Sequence, residues 1–145
     1  MPVPAAPPPA PAPAARARRL LAPLGTLVGV VAAFTYVGLV DPNESGHYPV
    51  CPLLSLTGLY CPGCGGLRSA HAVAHGDLAA ALGANALAVI GYGVFAAVWL
   101  VWLIRVARAT PVRVSVPPFL GWAVGAVILG FTVVRNLPFG SSLAP

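Results

Sequence analysis

Three thiols, two imidazoles and a carboxylate are gathered between Cys51 and Asp77, in the stretch CPLLSLTGLYCPGCGGLRSAHAVAHGD. A thiolate is a nucleophile, a redox group and a soft metal ligand, and imidazole binds many of the same metals. Residue type alone leaves three readings open. Cys61 and Cys64 are the leading pair for a structural disulfide, a bond that an oxidising extracytoplasmic compartment favours. The same pair with Cys51 suits a membrane thiol-disulfide oxidoreductase in which Cys61 attacks, Cys64 resolves and Cys51 relays. Cys51, Cys61, Cys64 and one of His71 or His75 make a sulfur-rich, four-ligand set of the kind zinc or copper accepts. Covalent haem is disfavoured, because Gly65 rather than a histidine follows Cys64.

Local sequence says how these groups should be held. With Cys61 as a helix N-cap, Pro62 takes the first helical position and Cys64 the third. The Cys61 sulfur then meets the positive end of a helix dipole, which lowers a thiol pKa. Gly63, Gly65 and Gly66 each weaken that turn by up to about 1 kcal/mol, which moves the helix start toward Leu67. From Gly66 to His75 the pattern suits a helix that carries Cys64, Arg68, His71 and His75 on one face. Arg68 on that face repels a cation and weighs against the histidines as ligands. Thr57-Gly58 marks a turn, Gly76 supplies a left-handed cap, and Asp77 caps the helical run that follows. Arg68 and Asp77 are candidates for an ion pair. Asn85, polar at membrane depth, is expected to bond a neighbouring loop carbonyl.

The elements that must position these groups are membrane helices. The chain has 145 residues, 58% of them hydrophobic and only 8% charged, with mean hydropathy +0.85. Soluble domains carry about a quarter charged residues. Leu20 to Val40 and Ala84 to Ile104 are each 21 residues without a charge, enough to cross about 30 Å of hydrocarbon as a helix. The first is too long for a signal peptide and lacks a small-residue cleavage site. A third span runs from Pro117 to Val134, after a hinge around Thr110 to Val116. Before the first span, residues 1–19 read as a cytoplasmic tail whose Pro/Ala tract, Met1 to Ala15, cannot bury a core and is expected to be disordered. Residues 20–145 form the membrane domain. Gly25 with Gly29, and Gly121 with Gly125, are small-residue pairs that would let the first and third helices approach closely.

Eight arginines and no lysine supply the basic charge. Arg16, Arg18, Arg19, Arg105, Arg108 and Arg113 fall on the tail and the second loop, which three spans place on one side. Short arginine-rich segments stay cytoplasmic, so the amino terminus is expected inside and the carboxyl terminus and Cys motif outside, with Trp99, Trp102 and Trp122 at the inner interface. The arginines are not arranged as a nucleic-acid surface. The expected partners are the lipid bilayer and, through the helices, a second copy or another membrane protein. Residues of GC-rich codons dominate, which favours a bacterial source.

Cys51-Pro52, Thr57-Gly58, Cys61-Pro62-Gly63-Cys64-Gly65, Arg68, Gly76-Asp77 and Asn85 together resemble a family of small bacterial membrane proteins classed as a domain of unknown function. Its signature reads approximately CP, TG, CPGCG, TR, GD and NP. Arg135-Asn136-Leu137-Pro138 also looks like actinobacterial members, and the resemblance covers about residues 45–140. Leu67 stands in place of the threonine and Ala86 in place of the proline, so no role needing that hydroxyl or that kink is carried over. The resemblance implies a multi-span membrane protein with a clustered Cys motif and supplies no activity, cofactor or substrate.

No general base, nucleophilic serine set, phosphate loop or paired intramembrane carboxylates accompany the motif. The expectation is therefore an all-α membrane protein of three transmembrane helices, non-catalytic, with a short extracytoplasmic Cys-rich cap and an interfacial helix. No cofactor is required, and zinc or copper is the metal the cysteines would take.

Overall fold

The computed structural model describes residues 13–44, 46–110 and 115–144. Five α-helices follow in order: α1 (Pro13–Leu39), α2 (Pro52–Thr57), α3 (Gly66–Ala74), α4 (Leu78–Ala107) and α5 (Pro118–Arg135), with a closing 3₁₀ turn at Pro138–Leu143. Among the described residues no strand occurs. Ala17–Leu39, Leu78–Ala107 and Pro118–Arg135 are long and apolar enough to cross a membrane. This is an all-helical, multi-pass membrane protein.

The boundaries differ from the sequence expectation in two places. Most of the Pro/Ala tract, residues 1–12, lies outside the described residues, as does most of the hinge, 111–114. From Pro13 onward, however, the stretch read as tail is helical and continuous with α1. Alanine and arginine are good helix formers, and proline is tolerated in a first turn. In α4 the helix starts at Leu78 and breaks at Asn85, whose φ of −163° and ψ of 94° are extended. The break needs no proline: the Asn85 side-chain oxygen, Oδ1, accepts from Ala88 N–H at 2.9 Å and so caps the membrane-crossing half.

The long helices run antiparallel, since the Trp99 indole N–H donates to the Pro23 carbonyl at 3.0 Å. That contact joins the start of α1 to the last turns of α4. At the opposite end, short α3 lies against both. Ala70, Ser69 and Ala81 are buried there, Gly38 meets the Ala74 side chain, and the Phe34 and Tyr92 rings meet edge to face at 5.4 Å. The Ser69 and Tyr92 hydroxyls both donate to the Gly66 carbonyl, at 2.8 and 2.9 Å. Small residues let α3 sit close, and the shared carbonyl fixes its first turn.

α5 is held differently. Its body, residues 118–130, is exposed. A β-carbon at Gly25, Gly29, Gly121 or Gly125 would meet nothing within 4 Å. The two glycine pairs therefore do not bring the first and third spans together. α5 is tied to the rest through its last residues and the 3₁₀ turn. Gly140 in that turn is buried, and a β-carbon there would collide with the Val134 carbonyl. Gly140→Ala is expected to displace the turn and cost about 2 kcal/mol, as overpacking does. Thermal unfolding in detergent should show a lower midpoint, and an unchanged one would mean that the turn shifts freely.

Candidate functional site

The turns the sequence marks are where the cap folds. Gly58, at φ 72°, closes α2. Gly76, at φ 77°, follows α3, and the Asp77 carboxylate accepts from Ala80 N–H at 2.9 Å to start α4. Cys61, by contrast, does not cap a helix. The chain from Cys61 runs through two tight turns, Cys64 N–H to Cys61 O at 3.2 Å and Gly66 N–H to Gly63 O at 2.9 Å. α3 begins only after Gly65, which takes φ 80°. Three glycines in four positions favour turns over a helical start, and the first Cys-Pro pair wins the role instead: Cys51 is the N-cap of α2 with Pro52 at its first position.

These folds bring the three sulfurs together. The Cys61 and Cys64 sulfurs are 3.2 Å apart and those of Cys51 and Cys61 3.5 Å; all three lie within 4.8 Å of one another. The expected Cys61–Cys64 disulfide is not formed, and all three are free thiols. The environments of the thiols differ sharply. Cys51 is lowered to about 7, first by the Leu54 backbone N–H at the start of α2 and then by the Cys61 and Cys64 thiols. Cys64, 8% exposed, is pushed up to about 12, chiefly by burial and then by its thiol neighbours. A cavity of about 530 Å³, bordered by Tyr48, Tyr60 and Arg68, reaches Cys51 and Cys64.

A depressed pKa means that Cys51 is a thiolate above about pH 7 and the most reactive of the three there. Alkylation of the reduced protein, mapped by mass spectrometry, should label Cys51 first with a half-maximal rate near pH 7. Cys64 should stay unlabelled to about pH 9, well below the pKa its burial imposes. A Cys51 rate that rises only above about pH 8 would contradict the assignment.

His71 and His75 do not join the sulfurs. His71 Nδ1 meets the Val37 carbonyl at 2.8 Å and its Nε2 lies 4.0 Å from the Asp41 carboxylate. His75 Nδ1 bonds the His71 carbonyl at 2.9 Å, and the two rings stack 4.3 Å apart. His71 clamps α3 to the end of α1, and His75 stacks against its ring. Among the described residues His71 Nε2 and the Asp41 carboxylate approach to 4.0 Å; the expected Arg68–Asp77 pair does not form, because Asp77 is turned to its capping role.

Two polar side chains from outside the motif hold the thiol turn by its backbone. The Asn85 amide donates to the Pro62 and Cys64 carbonyls, each at 2.9 Å. Arg135, only 1% exposed, donates through one terminal nitrogen to the Cys61 and Cys64 carbonyls at 2.9 and 3.1 Å, and through the other to Leu143 O at 3.0 Å. Its guanidinium also lies over the rings of Phe131 and Tyr60, at 4.9 and 5.7 Å. Asn136 completes the brace. Its oxygen accepts from Tyr60 N–H at 2.8 Å and its amide donates to Tyr60 O at 2.9 Å, as one strand residue would bond another. The sequence reading gave Arg135 and Asn136 no place in the site. The available signal was position: Arg135 ends the third span on the side opposite the six arginines read as cytoplasmic.

Fold and site together define a small multi-pass membrane protein with a three-thiol cap braced by membrane-helix side chains. Residues 51–99 match the model of a family described as "Protein of unknown function (DUF2752)". That match covers the sulfur turn, α3 and most of α4, and stops short of α5 and its Arg135 brace. No curated protein and no solved structure matches the chain.

Proposed function

We propose that this is a bacterial membrane protein whose cap binds one soft metal ion, Zn²⁺ or Cu⁺, through Cys51, Cys61 and Cys64. One observation carries the reading: three thiol sulfurs from two turns converge within 4.8 Å. Metal–sulfur bonds of about 2.3 Å put tetrahedral or trigonal sulfurs roughly 3.8 to 4.0 Å apart, so the closest pair, at 3.2 Å, need open by less than about 1 Å. Cu⁺ is content with three thiolates, whereas Zn²⁺ would take a fourth ligand, such as water, from the adjoining cavity. The protein's part is to bind and position, with no catalytic step.

Metal loading of purified, reduced, full-length protein in detergent tests this. One ion per chain, with all three thiols protected from alkylation, is the expected result. Three thiols that alkylate freely in excess metal would overturn it. The lowered thiol of Cys51 favours a second reading, thiol–disulfide exchange, which a readily exchanging Cys51–Cys61 or Cys61–Cys64 disulfide in the isolated protein would support. A fixed disulfide that resists mild reductant would instead return the cap to a purely structural role.

The cap is proposed to face the outside. Arg18 and Arg19 in α1 and Arg105 and Arg108 at the end of α4 share one end of the molecule, as the Trp99–Pro23 bond requires, and such arginines mark a cytoplasmic side. A reporter that fluoresces only in the cytoplasm, fused after Pro145, should stay dark; fluorescence would invert this topology.

A further inference from the structure

Arg135 is a buried cation that none of the chain's carboxylate side chains balances. There are three such groups, Asp41, Glu44 and Asp77. Asp41 faces Asn43 and His71, and Asp77 caps Ala80; among the described residues no arginine pairs with a carboxylate. Among the described residues the guanidinium, 1% exposed, is met only by carbonyls and ring faces, and its Nε has no partner there. Carbonyl dipoles and aromatic rings offset part of the cost of burying a charge, and an anion is what normally offsets the rest. Two of the three carbonyls it grips belong to Cys61 and Cys64, one residue's length from the sulfurs.

Resting on the metal reading above, we infer that Arg135 is the built-in counter-cation of the metal–thiolate centre. Three thiolates leave a net charge of −1 with Zn²⁺ and −2 with Cu⁺. Whatever charge the metal-free thiols carry, the Cu⁺-loaded centre is one unit more negative than the Zn²⁺-loaded one, and a fixed positive charge beside the centre acts on the two unequally. It favours Cu⁺ more than Zn²⁺, because attraction scales with the charge it faces. Arg135 is thus a positioning and specificity residue, not a ligand: it sets the backbone of the turn and raises affinity most for the monovalent ion. A brace that acted by hydrogen bonding alone would not distinguish the two ions.

Affinities for Zn²⁺ and Cu⁺, measured by chelator competition on the full chain in detergent, test this. Arg135→Gln should lose about tenfold more affinity for Cu⁺ than for Zn²⁺, on the order of tenfold per unit charge at short range. Arg135→Lys, which keeps the charge, should keep the Cu⁺-to-Zn²⁺ affinity ratio of the unaltered protein. Phe131→Glu places a carboxylate beside the guanidinium while leaving its carbonyl bonds, so it serves if Arg135→Gln does not fold. Relative to Phe131→Gln it should weaken Cu⁺ more than Zn²⁺. Equal losses for both ions in Arg135→Gln or Phe131→Glu, or a fallen ratio in Arg135→Lys, would overturn the inference while leaving the metal site standing. Failure of the unaltered protein to bind either ion would overturn both.

Discussion

Asn85→Ala is expected to destabilise the cap by about 3 kcal/mol and to loosen the turn that carries Cys61 and Cys64. One side chain does two jobs here. Its oxygen caps the membrane-crossing half of α4, a role worth about 1 kcal/mol. Its amide satisfies the Pro62 carbonyl and shares the Cys64 carbonyl with Arg135, and a buried acceptor left without a partner, here that of Pro62, costs about 1–3 kcal/mol. Asn85 is 1% exposed, so water cannot easily replace the lost donor. The order of variants separates the roles. Asn85→Ser keeps a capping oxygen and should be milder than alanine. Asn85→Asp keeps the cap but turns a second oxygen on two carbonyls, and should be at least as damaging as alanine. Thermal unfolding in detergent, with hydrogen exchange of residues 62–70, reads both effects. Equal stability for alanine and the parent, with exchange unchanged, would show that the turn stands without Asn85.

What could be read from residues and what could not divide along physical lines. Charge-free runs and arginine placement are local and one-dimensional, so three spans were legible. Gly58, Gly76 and Asp77 were legible as turn and cap residues because each acts within four residues of itself. The start of α3 depended on a contest between Cys-Pro as a helix opening and three glycines as turn formers. Cys51, followed by six residues without glycine, keeps its helix, whereas after Cys61 the glycines win and α3 starts at Gly66, next to the Leu67 start that their weakness as helix formers implies. Asn85 was read as bonding a loop carbonyl, but the break in α4 was set aside because Ala86 replaces proline. A side-chain cap makes the break without one. Arg135 was out of reach for a different reason. Its partners are 74 and 71 residues away in sequence, and no periodicity links the end of α5 to a turn before α3. The histidines share helical spacing with Cys64, but Arg68 on the same face already weighs against them as ligands. The face they occupy turns to α1.

Cys61→Ser is expected to lower metal affinity by at least a hundredfold and, among the single-cysteine changes, to alter the thiol cluster most. Four-ligand zinc sites bind with about 10–16 kcal/mol, roughly 3 kcal/mol per ligand and so about a hundredfold for each thiolate lost. Serine in place of any of the three should show that loss. The variants part company on oxidation. Cys61 is the sulfur in close contact with both others, at 3.5 and 3.2 Å. Cys51→Ser leaves the Cys61–Cys64 pair intact, and closing it to a bond of about 2.05 Å moves only the turn between them. Cys64→Ser leaves Cys51 and Cys61, which must draw together α2 and the turn. Cys61→Ser leaves Cys51 and Cys64 without the sulfur that lies in close contact with both. Mild oxidant should therefore give an intramolecular disulfide fastest in Cys51→Ser and slowest in Cys61→Ser, read by thiol counting and intact mass. If Cys61→Ser oxidises as fast as the others, the cluster is looser than its geometry, and a fixed tris-thiolate seat would lose its basis. If instead all three variants retain full metal affinity, the sulfurs are not the ligands, and the convergence of Cys51, Cys61 and Cys64 serves only to pack the cap.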